Sequence, residues 1–248
     1  MDANQVQKDS LLNQENWQDK PILRKIYHEF HEAIAAQLSS LPDPLVVELG
    51  SGIANIKEVI PDCLRTNLFP NPWIDQIENA YALTFADGTV SDLILFEEFI
   101  HLRHPGTALH EFERVLRPGG RLIIFDPFIS LLGLIIFGMS RREPIGWRDE
   151  IIWNAPASWL AKDTDDYAAQ GNATRIFFGR MAPMLLKNWN IVCRKRLAAF
   201  SYITSGGYSG RPLVPERYYP QIHALNRFFD SVPGLFATRA LVVLEKPM

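Results

Sequence analysis

The sequence predicts an α/β fold in which a mostly parallel sheet is flanked by helices. Short apolar runs typical of buried strands alternate with amphipathic segments typical of helices. The first run, Leu45–Leu49, leads into a turn that contains Gly50 and Gly52, and the runs Ser91–Phe96 and Arg121–Asp126 have the continuous apolar character of strands buried on both faces. Because the carboxyl ends of parallel strands meet at one edge of a sheet, we expect a ligand site at that edge.

Length and composition favour a single domain over residues 1–248. The formal net charge of −3 and the absence of any block of Lys and Arg argue against a nucleic-acid partner. Cys63 and Cys193 lie far apart inside apolar segments, which favours free thiols in a reducing compartment over a disulfide. The polar N-terminal residues lack the apolar core of a signal peptide. We therefore predict a cytoplasmic protein.

The most hydrophobic region, Leu122–Met139, is interrupted by Asp126 and Pro127. Either half is too short to span a bilayer, so we predict no stable membrane insertion. A core strand followed by a buried or lid helix is the favoured interpretation. A helix over Phe128–Phe137 that lies in a membrane interface remains the alternative.

The N-terminal extension, residues 1–44, is predicted to be helical. Apolar residues recur at helical spacing over Pro21–Leu38, and Pro42 and Pro44 end the pattern. His28 and His31 share one face of this helix, but no third ligand accompanies them, and we predict no metal site.

Residues 45–127 are predicted to form the core of the fold. The strands alternate with helices at a spacing that predicts βαβ units. In chain order we expect a strand over Leu45–Leu49, a helix over Ala54–Ile60, a strand over Cys63–Leu68, a strand over Ser91–Phe96, a helix over His104–Leu116 and a strand over Arg121–Asp126.

Beyond Asp126 the pattern is looser, and residues 128–190 and 204–234 are predicted to be lid insertions. The expected elements are a helix over Ile176–Leu186, a strand over Ile191–Ile203, a long loop over Thr204–Pro220, a helix over Gln221–Phe229 and a closing strand over Leu235–Glu245.

Four stretches in this order resemble class I S-adenosylmethionine-dependent methyltransferases, in particular those of methyltransferase type 11. They are Glu48-Leu-Gly50-Ser51-Gly52, Ala82–Asp87, Phe96–Pro105 and Arg114–Leu122. The last is the most diagnostic, because it is similar to the turn before the fifth strand of that family. The resemblance covers residues 45–127 and implies a Rossmann-like sheet with an antiparallel last strand.

The resemblance also implies S-adenosylmethionine as cofactor and assigns residues to it. Glu48, Gly50, Ser51 and Gly52 match the stretch that meets the methionine and ribose part. Asn67 matches the residue at the ribose hydroxyls, and Asn79 and Ala80 match the position beside adenine. Glu97 and the residues through His101 match the stretch that borders cofactor and substrate.

Three residues depart from the family pattern. Ala54 replaces a third glycine, and Asn67 and Asn79 stand where aspartate is common. An asparagine can still accept a hydrogen bond, but the charge-assisted part of each contact is lost. We therefore expect a cofactor site weakened by at most roughly one to two orders of magnitude.

The resemblance implies methyl transfer by an in-line displacement, in which alignment of the acceptor matters most. His101, after the fourth strand, is the best candidate for a general base, although it could instead pack at the entry of the next helix. Asp126 is the second catalytic candidate, although Asp126-Pro127 could equally be a turn. Of the neighbouring Glu97 and Glu98, one should face the ligand edge and the other should point away.

We therefore predict a methyltransferase acting on a small-molecule acceptor, and the sequence does not predict its oligomeric state. The segments Pro127–Ile203 and Thr204–Pro233 would supply an apolar or aromatic pocket from Trp147, Trp153, Tyr202, Tyr208, Tyr218, Tyr219 and His223. The segment Tyr202–Tyr219 is either a mobile lid or a static surface loop. The alternative function is a binding or scaffold protein that kept the fold but lost turnover. A nicotinamide-dependent oxidoreductase is disfavoured, since the dinucleotide fingerprint is incomplete.

Overall fold

The computed structural model describes residues 3–53, 55–139, 145–146, 149–164, 167–169, 171–208 and 210–248. Ala54 and Trp147, which carried predictions above, lie outside these residues. Seven strands within the described part form one sheet: β1 (Val46–Leu49), β2 (Leu64–Asn67), β3 (Gln76–Ile77), β4 (Val90–Phe96), β5 (Leu116–Pro127), β6 (Asn190–Leu197) and β7 (Arg239–Glu245).

The strand order is β3-β2-β1-β4-β5-β7-β6. Strands β1 to β5 pair in parallel, whereas β7 pairs antiparallel with both β5 and β6. The last strand in the chain is therefore inserted between the fifth and the sixth. This arrangement confirms the predicted α/β fold with a mostly parallel sheet and an antiparallel last strand.

Helices cover both faces of the sheet. They are α1 (Ala3–Asp19), α2 (Pro21–Ala35), α3 (Pro105–Val115), α4 (Leu131–Met139), α5 (Asn172–Phe178), α6 (Ala182–Leu185), α7 (Phe200–Ser205), α8 (Tyr219–Phe229) and α9 (Pro233–Phe236). On one face Ile34 of α2 belongs to the same buried cluster as Ile94 and Ile123. On the other face Phe112 of α3 belongs to a cluster with Leu93 and Leu122.

Several predicted elements have different limits in the structure. The helix expected over Ala54–Ile60 is only a 3₁₀ turn at Asn55–Glu58, because the chain reaches Pro61 before a full α-helix can develop. The helix expected over Ile176–Leu186 is divided into α5 and α6, since Gly179 ends the first and Pro183 lies in the first turn of the second.

The largest correction concerns the strand expected over Ile191–Ile203. It ends at Leu197, and Ala199 has a left-handed conformation (φ 49°) that turns the chain into α7. The loop expected over Thr204–Pro220 therefore begins inside a helix, and a 3₁₀ turn at Glu216–Tyr218 leads into α8.

The apolar α4 follows the buried Phe128 and contains nine residues. Its Leu131, Leu134 and Ile135 are exposed. Nowhere in the described part of the chain does a helix combine the length and the apolarity needed to cross a membrane.

Candidate functional site

The turn after β1 is built from two glycines in left-handed conformations, with φ 71° at Gly50 and 53° at Gly52. Residues with a side chain rarely adopt these angles, which explains the residue type at both positions. Hydrogen bonds attach the turn to β2. The Ser51 N–H donates to the Thr66 carbonyl oxygen (2.8 Å), and the Thr66 hydroxyl donates to the Glu48 carbonyl oxygen (2.8 Å). Ser51 therefore fixes the shape of the turn.

The turn is open beside Gly52 and lies next to a buried acid. A Cβ added at Gly52 would meet no described atom within 4 Å. The Glu48 side chain is 3% exposed, and its Oε2 has no hydrogen-bond partner among the described residues. Burial raises the pKa of Glu48 to about 7. A buried carboxylate oxygen without a donor is unfavourable, so a ligand that brings a donor would fit here.

The connection between β2 and β3 approaches the same turn. The Asn71 side-chain amide donates to the Gly52 carbonyl oxygen (3.1 Å), while its Oδ1 accepts from the N–H groups of Trp73 and Ile74 (3.0 and 3.2 Å). Sequence reasoning missed Asn71, although Asn-Pro is a typical turn signal. Asn67 ends β2 at the same edge, half-buried, with its Oδ1 accepting weakly from the Phe69 N–H (3.4 Å). Its contact with ribose stays a prediction.

Asn79 follows β3 and has partners within the protein. Its amide donates to the Ala161 carbonyl oxygen (2.9 Å) and the Thr164 hydroxyl (3.2 Å), and its Oδ1 accepts from the Tyr81 N–H (3.0 Å). The neighbouring Ala80 packs against the core. Asn79 thus ties the segment at Ala161–Asp163 to the edge of the sheet, and a contact of Asn79 or Ala80 with adenine stays a prediction.

Glu97 and Glu98 point to different partners. Glu97 has a left-handed conformation (φ 57°), and its carboxylate lies 2.6 Å from Arg239 Nη2. The Glu98 carboxylate lies against Gly50, where an added Cβ would overlap it. Burial raises the pKa of Glu98. Glu98 is therefore the acid beside the glycine turn, whereas the residue we selected from the sequence was Glu97.

Asp126 lies at the end of β5 and is completely buried. Its Oδ1 accepts from the Phe99 N–H (3.3 Å), and its Oδ2 has no partner among the described residues. Burial first, and then the negative charge of Glu97, raise the pKa of Asp126 to about 8. At neutral pH this carboxyl is therefore mostly protonated.

His101 lies at the end of the 3₁₀ turn Phe99–His101. Its Nδ1 is 2.9 Å from the Tyr167 carbonyl oxygen. Because a carbonyl oxygen can only accept, Nδ1 carries the proton in this contact, and Nε2 is the basic nitrogen of the neutral ring. When its ring is protonated, His101 lowers the pKa of both Glu98 and Asp126, which shows that the fold brings these groups together. The catalytic roles of His101 and Asp126 stay predictions.

His31 of α2 is not part of this site. The ring is 1% exposed and packs on Phe96 with centroids 5.1 Å apart, and burial lowers its pKa to about 4. Across the described residues, no three side chains of His, Cys, Asp or Glu are grouped as a metal site would require.

A cavity of about 300 Å³ lies between α4 and α7, beside the start of β7. It is lined by Ile136, Phe137, Tyr202, Ile203, Gly206, Gly207, Tyr208, Thr238 and Arg239. Tyr202 and Tyr208 are the predicted aromatic residues that line it. Tyr219 instead donates to Glu29 (2.6 Å) on α2, and Trp153 lies against Gly106 of α3.

Gly207, Tyr208 and Gly210 are attached to the junction of α1 and α2. The Lys20 ammonium donates to three carbonyl oxygens, those of Gly207 (2.8 Å), Tyr208 (2.9 Å) and Gly210 (2.7 Å). The Tyr208 ring packs on Trp17 and Tyr27, with centroids 6.5 and 5.2 Å apart. We call these three hydrogen bonds the Lys20 latch.

The sequence and the fold were both compared with those of known proteins. Residues 57–124 match the methyltransferase domain family. The fold is similar to that of an S-adenosylmethionine-dependent methyltransferase from Archaeoglobus fulgidus, with 12% identity, a TM-score of 0.55, and 90% of this chain and 94% of that chain covered. The chain has a class I methyltransferase fold.

Two further solved structures share this methyltransferase fold. One is geranyl diphosphate C-methyltransferase from Streptomyces coelicolor A3(2), with 12% identity, a TM-score of 0.51, and 88% of this chain and 77% of that chain covered. The other is the [4+2]-cyclase SpnF, with 13% identity, a TM-score of 0.53, and 89% of this chain and 81% of that chain covered. No curated protein matches the sequence. At these identities the likeness shows the fold alone, and function must be argued from the site.

Proposed function

We propose that this protein is an S-adenosylmethionine-dependent methyltransferase that acts on a small-molecule acceptor. The observation that carries the proposal is the pairing of the Gly50–Gly52 turn, open beside Gly52, with the unpartnered Glu48 Oε2. A ligand with an ammonium group fits this arrangement, because it would supply the missing donor to a buried carboxyl.

The residues that would bind the cofactor are those at the carboxyl edge of β1, β2 and β3. Glu48 would accept from its amino group, and the glycine turn would permit close approach to the main chain. Asn67 would meet the ribose hydroxyls, with Asn79 and Ala80 beside adenine. S-adenosylmethionine supplies a methyl group activated by a positively charged sulfur.

The remaining task of the protein is to orient the acceptor, exclude water and accept a proton. Trp17, Tyr27 and Tyr208 cover the region near the glycine turn with apolar rings, in one cluster with Ile53. His101 would accept this proton, with its Nδ1 held against the Tyr167 carbonyl oxygen. Asp126 is mostly protonated there, so it would act as a base only above about pH 8.

Calorimetric titration with S-adenosylmethionine, S-adenosylhomocysteine and NAD tests the proposal first. We expect both sulfur nucleosides to bind and NAD not to bind. The substitution Glu48→Gln keeps the shape of the side chain and removes its charge, so it should weaken binding about five- to tenfold. The exposed Glu58→Gln is the matched control. Absence of binding by either sulfur nucleoside to the folded protein would contradict the proposal, and preference for NAD would favour an oxidoreductase.

A binding protein without turnover is the second candidate. Two observations favour it: both donors of Asn79 are engaged by Ala161 and Thr164, and a 3₁₀ turn stands in place of a helix after β1. The candidate predicts that S-adenosylhomocysteine binds while no acceptor in a broad metabolite panel receives a labelled methyl group. Labelled product from any acceptor, abolished by a competing excess of S-adenosylhomocysteine, would exclude it.

A further inference from the structure

The cavity between α4 and α7 has mostly apolar walls. Ile136 and Phe137 of α4 form one side, and Tyr202 and Ile203 of α7 form the other. Its volume of about 300 Å³ lies at the lower end of the range of small-molecule sites. A flat ring system or a short branched chain would fit the apolar part of these walls, and the polar groups of the lining belong to Tyr202, Tyr208, Thr238 and Arg239.

Arg239 is the charged residue that lines this cavity among the described residues. Its side chain is 2% exposed, and its guanidinium is 4.3 Å from the centre of the Tyr202 ring. Two of its nitrogens are engaged: Nη2 with Glu97 (2.6 Å) and Nη1 with the Thr238 carbonyl oxygen (3.0 Å). Its Nε has no partner among the described residues. A buried N–H without an acceptor is rare, so this donor remains available for a hydrogen bond.

The charge of Arg239 is already neutralised. Glu97 supplies one negative charge at 2.6 Å, and any anion that approached the guanidinium would also approach this carboxylate. The neighbouring Asp126 is mostly protonated at neutral pH and adds no charge. Two carboxylates around one buried guanidinium would repel each other and would both lose hydration. The site therefore favours a neutral oxygen as acceptor over a carboxylate or phosphate.

We propose that this cavity binds the methyl acceptor, and that the acceptor is an uncharged, mostly apolar molecule with a carbonyl or hydroxyl oxygen that accepts a hydrogen bond from Arg239 Nε. This assignment rests on the proposed function for the identity of the reaction, but binding to the cavity can be measured without the cofactor.

Three probes of one shape test the ligand class: 2-acetylnaphthalene, with a neutral carbonyl; 2-naphthoate, with an anion; and 2-ethylnaphthalene, without an oxygen. Binding to the full-length protein is measured by equilibrium dialysis at pH 7. We expect 2-acetylnaphthalene to bind at least roughly fivefold more tightly than either of the others, as a hydrogen bond to a charged donor predicts. Tightest binding by 2-naphthoate, or equal binding of all three, would overturn the proposal.

Three variants locate the binding. Arg239→Lys keeps a cation for Glu97 but removes the Nε donor, so the preference for the carbonyl probe should fall to about one. Ile136→Phe fills the cavity and should weaken all three probes about tenfold or more. Ile135→Phe makes the same change at the adjacent position, which is 54% exposed and does not line the cavity, and should have no effect. Equal effects of Ile135→Phe and Ile136→Phe would place the probes elsewhere and overturn the proposal.

Titration with S-adenosylhomocysteine on the same samples separates this inference from the proposed function. Binding of the carbonyl probe without binding of the nucleoside would refute the methyltransferase and leave the ligand class of the cavity standing. Binding of the nucleoside without binding of any probe would refute the cavity assignment alone. Thermal melts of each variant show whether a loss of binding reflects a loss of folding, and the two neighbouring Phe variants provide that comparison.

Discussion

The side-chain amide of Asn71 donates a hydrogen bond to the carbonyl oxygen of Gly52 across 3.1 Å. This contact joins the connection after β2 to the glycine turn after β1. The two segments that would enclose a nucleoside are therefore joined directly, and Gly52 is positioned by a residue that no family pattern had singled out.

Asn71→Asp should loosen the glycine turn. The new carboxylate can still accept from the Trp73 and Ile74 N–H groups, but it cannot donate to Gly52 and would repel the carbonyl oxygen. We expect the free energy of unfolding to fall by about 1–2 kcal/mol and S-adenosylhomocysteine to bind more weakly. Urea unfolding and calorimetry measure the two effects. The exposed Asn188→Asp is the control. Unchanged binding by Asn71→Asp would show that the turn does not contact the nucleoside.

Asn67→Asp should act in the opposite direction on cofactor affinity. If ribose hydroxyls lie against the end of β2, a charged acceptor replaces a neutral one, and binding should tighten about fivefold, or roughly 1 kcal/mol. Glu48→Ala should weaken binding through the loss of a charged site at the end of β1. Should both folded variants bind with wild-type affinity, the nucleoside lies elsewhere.

Stability should decrease as pH rises from about 4 to 8. The folded protein keeps a proton on Asp126 up to about pH 8 and on Glu48 up to about pH 7, whereas in the unfolded chain both carboxyls ionise near pH 4. In this window the folded state binds more protons, so the free energy of unfolding falls with increasing pH.

Asp126→Asn tests this origin of the pH dependence. The amide can retain the acceptor for the Phe99 N–H and does not ionise. The loss of stability of Asp126→Asn between pH 5 and 8, measured by urea unfolding, should be smaller than that of wild type by on the order of 3–4 kcal/mol. The exposed Asp62→Asn should keep the wild-type slope. Identical slopes for all three proteins would mean that Asp126 is ionised in the fold.

Removal of the Lys20 latch should increase the mobility of residues 205–217. Lys20→Met retains the apolar stem and loses three charge-assisted hydrogen bonds to the Gly207, Tyr208 and Gly210 carbonyls. Amide exchange over residues 205–217 should become faster, and the exposed Lys187→Met should leave it unchanged.

Ligands should affect the same amides. In wild type, exchange over residues 205–217 should slow further when S-adenosylhomocysteine and an acceptor are both bound, as expected of a lid. Exchange that is already slow and ignores both the ligands and Lys20→Met would identify the segment as a static loop.

The central strands could be predicted closely because burial on both faces leaves a clear pattern. The run Ser91–Phe96 became β4 with one added residue, and Arg121–Asp126 lies within β5. The edge strand was harder. Ile191 and Val192 of β6 are exposed, and the apolar run Leu197–Phe200 passes from the strand into α7 without a break. Nothing in residue type marks the turn at Ala199, because its left-handed conformation is imposed by the surrounding packing.

The residues of the candidate site could be predicted where they belong to the glycine turn. They could not be predicted where their role depends on residues that are far away in the sequence. Glu48, Gly50 and Gly52 lie at the expected edge because one strand and its turn determine their place. Arg239 carried no local signal, since its role comes from the contact with Glu97 and from the cavity beside it. We selected Glu97 from the sequence as the acid beside the glycine turn, whereas the structure has Glu98 there. The difference follows from the left-handed conformation of Glu97, because the alternation of side chains along a strand does not predict such a turn.

The position of β7 between β5 and β6 determines the order in which the sheet can be completed. During synthesis β6 emerges before β7, yet β7 is the neighbour with which it pairs in the described sheet. Until residues 239–245 leave the ribosome, the edges of β5 and β6 that pair with β7 both stay without a partner strand. Such open edges favour pairing with other chains, so a nascent chain of this protein would depend on rapid insertion of its final strand to escape aggregation.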